Sequence, residues 1–192
     1  MDRLSVVKQR ARHLLEDIPS ERTYHNQEHV ERMVTVAHDI GVEHGLSETE
    51  LELLETAGWF HDLGYTNGPA DGHEKRSQDL VNEHLSDLFS PSELERINTA
   101  IAATEWPQKP VTEIGEVLAD ADVHTLGTEN AERVRETVFE ELRQTDYPDL
   151  SREEFFAARV EMFSDHTYHT QVARDRYQSQ KDNNIERLRQ RK

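Results

Sequence analysis

Apolar residues recur every three to four positions along most of the chain, the spacing of one face of an α-helix. Leu4, Val7, Ala11, Leu14, Leu15 and Ile18 trace a first amphipathic helix that Pro19 stops. Val30, Met33, Val34, Ala37 and Ile40 trace a second, ending between Gly41 and Gly45. Ser47 with Glu50 reads as a capping box, and Leu46 with Leu51 has the spacing of a hydrophobic staple, so a third helix starts there. Its stripe runs through Leu51, Leu54, Ala57 and Phe60. Ser90-Pro91-Ser92-Glu93 repeats the box with Pro at the first helical position, and Ser151-Arg152-Glu153-Glu154 is a third example. Further helices are expected over 73–86, 112–124, 129–144 and 169–190. Strand alternation is nearly absent, which predicts an all-α fold.

At 192 residues the chain is long enough for one domain with a sizeable core, expected to span 1–192 with a C-terminal helical tail from about 169. No internal repeat or low-complexity stretch marks a second domain. Gly and Pro place the loops at Thr66–Gly72, Trp106–Pro110 and Asp146–Asp149. There is no Cys, so a metal would have to be held by nitrogen and oxygen donors. No apolar run has membrane-spanning length, and the first residues enter a charged amphipathic pattern rather than a signal peptide. A cytoplasmic protein without a membrane partner is expected.

Charge narrows the partners further. The 22 basic and 39 acidic residues give a formal net charge of −17, which repels nucleic-acid polymers. A small phosphorylated ligand is still compatible, because a bound cation and a few arginines can invert the field inside a cleft. The acid excess with few lysines suits a salt-adapted host and equally an ordinary acidic enzyme.

Candidate chemistry lies in three segments: Tyr24-His25-Asn26-Gln27-Glu28-His29, Trp59-Phe60-His61-Asp62-Leu63-Gly64-Tyr65 and Asp120-Ala121-Asp122. Imidazoles and carboxylates in this mix suit a divalent metal such as Mn, Mg, Fe, Co, Ni or Zn. Eleven histidines make some His-Asp neighbours a matter of chance, and most such neighbours are solvated or structural. The His61-Asp62 pair differs because it closes a core-facing helix just before Gly64, where buried polar groups need partners. His25 and His29 are four apart, yet Asn26 is a good N-cap that would leave His25 outside the helix. His166 and His169 read as solvated or packing residues. Either Asp120 or Asp122 could supply the last carboxylate.

His29, then His61-Asp62, then a distant Asp, resembles the HD-domain metal-dependent phosphohydrolases over most of the chain. The Tyr-His-Asn-x-x-His opening, the Asp-Ala-Asp segment running into Leu126-Gly127, and a helical C-terminus containing Arg159 resemble a small bacterial and archaeal subgroup described as predicted metal-dependent HD phosphohydrolases. The resemblance implies metal ligands His29, His61, Asp62 and Asp120, the family register favouring Asp120 over Asp122. It implies hydrolysis of a phosphate ester in a nucleotide or another small phosphorylated metabolite, by water activated on the metal. Asp62, His73 and Glu74 are the catalytic candidates; Lys75, Arg76, Arg159, Tyr65 and His25 are the candidate substrate contacts. Members often pair, so a homodimer is an open expectation, although no apolar stripe stands apart from the core.

One metal is expected rather than two. The resemblance implies that two-metal members need two further histidines between the His-Asp pair and the last Asp. Here His73 and His84 lie on one predicted helix, eleven residues or roughly 16 Å apart. That disfavours the oxygenase variant with two irons, while a non-catalytic metal or nucleotide sensor is a further alternative. The chain also lacks the Glu-Asp step of the alarmone hydrolases and the Gly-Tyr-Pro of the cyclic dinucleotide phosphodiesterases. Walker-type, His-Glu-x-x-His and Gly-x-Ser-x-Gly motifs are missing too.

Overall fold

The computed structural model describes residues 2–190, and every regular element among them is helical. In order they are α1 (Arg3–Leu15), α2 (Gln27–His44), α3 (Glu48–Phe60), a 3-10 turn (Leu63–Thr66), α4 (His73–Leu85), α5 (Pro91–Ala102) and α6 (Glu113–Asp122). There follow a second 3-10 turn (His124–Gly127), α7 (Ala131–Thr145), α8 (Arg152–Asp165), α9 (Gln171–Ala173), a π-helical turn (Arg174–Gln178) and α10 (Ser179–Arg189). Among the described residues no helix is long and apolar enough to cross a membrane.

Local signals set the helix ends. The Asn26 side chain accepts from the His29 N–H at 3.1 Å and starts α2 at Gln27, leaving His25 outside. Gly45, at φ 95°, closes α2 in the left-handed conformation that a Cβ disfavours. The capping boxes at Ser47/Glu50, Ser90/Glu93 and Ser151/Glu154 all form. Each donor so satisfied would otherwise cost about 1 kcal/mol of helix stability.

Around α3 pack α1, α2, α4, α5 and α6. Leu53, Leu54, Thr56, Ala57, Gly58, Trp59 and Phe60 are all buried, so the second half of this helix is enclosed rather than one-sided. Gly58 admits α2 at close range, since a Cβ there would lie 2.9 Å from Val34 Cγ2. Full burial of side chains such as Leu54 and Phe60 stabilises by about 1.5–3 kcal/mol each. The His61-Asp62 step therefore grows from the best-anchored helix.

A smaller apolar cluster of Phe139, Leu142 and Phe155, joined by Val138, Leu150 and Phe156, holds α7 against α8. α10 packs on α8 and on the second 3-10 turn. Buried Lys181 of α10 donates to the carbonyls of Phe163 and His166 at the end of α8, where unpaired carbonyls and the helix dipole favour a cation.

Candidate metal centre

Three elements converge on one point. His29 comes from the first turn of α2, His61 and Asp62 from the end of α3, and Asp122 from the last turn of α6. Asp62 Oδ2 is 3.2 Å from His29 Nε2 and 3.2 Å from His61 Nε2, while Asp122 Oδ1 is 3.6 and 3.5 Å from the same nitrogens. His29, His61 and Asp62 are almost fully buried, and Asp122 partly so.

These atoms are close but not hydrogen-bonded. His29 Nδ1 and Nε2, His61 Nε2 and Asp62 Oδ2 are buried without a hydrogen-bond partner. Buried polar atoms are rarely left so, because each costs the desolvation it fails to recover. His61 Nδ1 donates to the Gly58 carbonyl at 2.8 Å, which leaves Nε2 to face the carboxylates. One atom each from His29, His61 and Asp122 lie within 4.8 Å of one another. Convergent, buried nitrogen and oxygen donors of this kind fit a divalent cation.

Electrostatics bind the group together. Burial pushes the Asp62 carboxyl up, but His61, His29 and His73 together outweigh it and hold it well below the usual range. Asp122 is likewise lowered, burial being overcome by His29 and His61. Burial lowers the His29 and His61 imidazoles, and the two carboxylates reverse this and raise both. The ionised carboxylates that favour protons on these imidazoles equally favour a cation that displaces them.

The centre opens into a cavity of about 520 Å³. His73 and Glu74, opening α4, line it; His73 Nε2 is 3.3 Å from Asp62 Oδ1, and its Nδ1 donates to the Ala70 carbonyl at 2.8 Å. Burial raises the Glu74 carboxyl above its ordinary value, against the pull of His73. Gly64 permits the approach of α4, since a Cβ there would sit 2.0 Å from the His73 carbonyl oxygen. Ser77 ties the same corner, donating to the His61 carbonyl at 2.6 Å and accepting from the Gly64 N–H at 2.8 Å.

Tyr65 and His25 also line the cavity, stacked at 4.5 Å with Tyr65 stacked in turn on His73 at 4.3 Å. His25 Nδ1 pairs with Glu141, whose other oxygen accepts from the Tyr24 and His25 N–H groups. Arg159 lines the wall formed by α8.

Three expected site residues are placed elsewhere. Asp120 is fully buried but turned from the centre: its carboxylate accepts from the N–H of His169 at 2.7 Å and from the N–H and hydroxyl of Thr170, each at 2.8 Å. Two steps along a helix turn a side chain by about 200°, so Asp122 points inward as Asp120 points to the C-terminal segment. Lys75 is exposed, pairs with Asp79 and does not line the cavity. Arg76 spends its guanidinium on the carbonyls of Gly64, Pro69 and Asp71, organising the loop rather than the cavity. His84, the other histidine of α4, also lies off the cavity lining and faces Glu83 at 4.0 Å.

Several residues with a role escaped the sequence patterns. Glu141 is fully buried on α7, and Arg22 pairs with Asp146 at 2.5 Å while lying 3.8 Å from Glu141. Tyr24, whose ring is 4.7 Å from that of His29, has its hydroxyl pushed up to about 12 by burial and by the Asp122 charge. Only the Tyr-His-Asn opening hinted at Tyr24; no periodicity marks the others. His166 and His169 pack away from the centre, each with a buried Nε2 that lacks a partner.

Residues 26–127 match the family model described as HD domain. Among solved structures, the fold is similar to that of a Lactobacillus plantarum protein known from its crystal structure, at 18% identity and a TM-score of 0.67, over 98% of this chain and 94% of the other. That likeness speaks for the fold alone. No curated protein matches the chain.

Proposed function

The chain belongs to the HD-domain family, and from that premise we propose that it is a metal-dependent phosphohydrolase cleaving a phosphate ester of a nucleotide or another small phosphorylated metabolite. Members of the family are generally metal-dependent phosphohydrolases. The observation that carries the reading is the set of buried donors of His29, His61 and Asp62 facing Asp122, with Asp62 and Asp122 lining a cavity of substrate size. These four residues would hold one divalent cation, with Asp122 in the place expected for Asp120.

A cation bound there supplies a Lewis acid for a phosphoryl oxygen and lowers the pKa of water. The rest of the task falls to the side chains. Asp62, held ionised by three histidines, orients His73 through the 3.3 Å contact with its Nε2. Glu74, raised by burial, is suited to accept a proton at the cavity wall. His25 and Tyr65 shape the side next to α7, and Glu141 fixes the His25 ring through Nδ1 so that its Nε2 remains for the substrate.

The test is to measure the metal content of the purified protein, then to screen phosphorylated metabolites for phosphate release with Mn, Mg, Co and Ni. Release that requires metal and is lost in Asp62→Asn is expected. Metal bound at full occupancy with no release from any compound would favour a sensor instead.

A further inference from the structure

The cavity lining carries Asp62, Asp71, Glu74, Glu105 and Asp122 against two cations. Asp62, Glu74 and Asp122 lie towards the metal corner, whereas α7 and α8 present Arg135 and Arg159. Among the described residues no carboxylate lies within ion-pair distance of Arg159; its one hydrogen bond is to the Met162 sulfur at 3.2 Å, a weak acceptor. The guanidinium instead lies over the rings of Phe155 and Phe163, at 5.0 and 5.7 Å.

Arg135 likewise lies over a ring, that of Phe156 at 4.6 Å, but three other sheltered arginines are treated differently. Arg3 reaches Glu52 and Glu93, Arg22 reaches Asp146, and Arg76 takes three carbonyls. In a chain with 39 acidic residues, a pocket arginine left without one is conspicuous. Burial lowers the Arg159 pKa from its ordinary value, yet a guanidinium stays protonated in proteins. A sheltered cation is held at a cost that an arriving anion offsets.

Its position separates it from the metal corner. α8, which carries it, packs on α10 and through Phe155 on α7, whereas the corner is built by α2, α3, α6 and the start of α4. One phosphoryl group seated at the corner therefore leaves Arg159 for a different group of the same substrate. The same cavity is lined by Val138, Leu142, Phe155 and Phe163, a surface suited to an apolar or planar body.

We propose that Arg159 selects organic phosphates that carry a second anionic group, a further phosphate or a carboxylate, beyond the phosphoryl at the metal corner. The inference rests on the phosphohydrolase reading and adds the substrate class. Charge-assisted hydrogen bonds of this kind change affinity by roughly 10- to 100-fold.

Three probes with one planar body decide it: phenyl phosphate, 4-carboxyphenyl phosphate and 1,4-phenylene bisphosphate. KM for the two doubly anionic probes is expected about 10- to 100-fold below that for phenyl phosphate, and the probe with the larger gain identifies the second group. In Arg159→Met the KM ratio between singly and doubly anionic probes collapses towards one, and in Arg159→Lys it recovers in part. If Arg159→Met fails to fold, Arg159→Gln takes its place. A ratio unchanged by loss of the guanidinium, or no preference in the wild type, overturns the inference. Calorimetric titration of Mn-loaded protein with the uncleavable phosphonate analogues keeps the two readings apart. Binding that depends on Arg159, with no phosphate released from the esters, sinks the hydrolase reading and leaves the anion site standing. Phosphate release without any dependence on Arg159 does the reverse.

Discussion

Exchanging the fates of Asp120 and Asp122 is the sharpest test of how α6 is oriented. Asp120→Ala strands the N–H groups of His169 and Thr170 and the Thr170 hydroxyl, all held at 2.7–2.8 Å by a fully buried carboxylate. At about 1–3 kcal/mol for each stranded donor, less the relief of removing a buried charge, the loss comes to roughly 2–5 kcal/mol. For a chain of this length that lowers the melting temperature by roughly 5–15 °C. Folded Asp120→Ala should still show a rise in melting temperature on adding Mn, because binding to the native state alone stabilises it. Asp122→Ala should lose that rise, its metal affinity falling by at least about tenfold, the penalty already typical of groups one step behind the ligands. The assay is thermal unfolding of both variants with and without Mn, with calorimetric titration of the metal. Loss of metal response in Asp120→Ala at unchanged stability, with Asp122→Ala still responding, would refute the geometry.

Other expectations follow from single contacts. Gly64→Ala drives a Cβ into the His73 carbonyl and should cost about 1–3 kcal/mol by chemical denaturation, together with activity, as α4 shifts; wild-type stability in this variant would contradict the close approach. Burial, then the charge of Lys181, lowers the His166 pKa from 6.5 to about 3. The unfolded chain thus binds a proton that the native state refuses. Stability is fully present above pH 6.5 and falls with pH down to about 3, by up to about 1.4 kcal/mol per pH unit. His166→Phe should flatten the slope between pH 5 and 6.5, and an unaltered slope would show that His166 titrates freely. Arg22→Met leaves Asp146 and Glu141 sheltered without their cation and should cost about 3–5 kcal/mol, so a loss under 1 kcal/mol would show the pair to be solvated.

Much of the fold was written in short-range signals. Three capping boxes, the Asn26 cap and Gly45 act over four residues or fewer, and each ended or began a helix where the pattern predicted. The enclosure of α3 followed from its apolar content, and with it the burial of His61 and Asp62. What the pattern could not resolve is rotation and long-range pairing. Asp120 and Asp122 lie on opposite faces of α6, but both faces are buried, and the choice between them is made by the 168–170 segment some fifty residues on, whose N–H groups claim Asp120. Lys75 and Arg76 looked like phosphate groups because they follow His73-Glu74. Asp79 lies one helical turn from Lys75, and the carbonyls of the preceding loop satisfy Arg76. The Arg22–Asp146 and His25–Glu141 pairs join positions more than a hundred residues apart and leave no local trace. That Arg159 has no acidic partner is also a property of packing, since acidic residues are plentiful in its sequence neighbourhood.

The central claim is that the His29, His61, Asp62 and Asp122 group holds a divalent cation on which phosphate-ester hydrolysis depends. Titrating chelator-stripped protein with Mn while following phosphate release from the best compound of the metabolite screen tests it most directly. Release should be near zero in the stripped protein, rise in proportion to metal bound, and saturate at about one ion per chain, the number one such donor set accommodates. Release that persists without metal, or full occupancy at this centre with no release, would contradict the account.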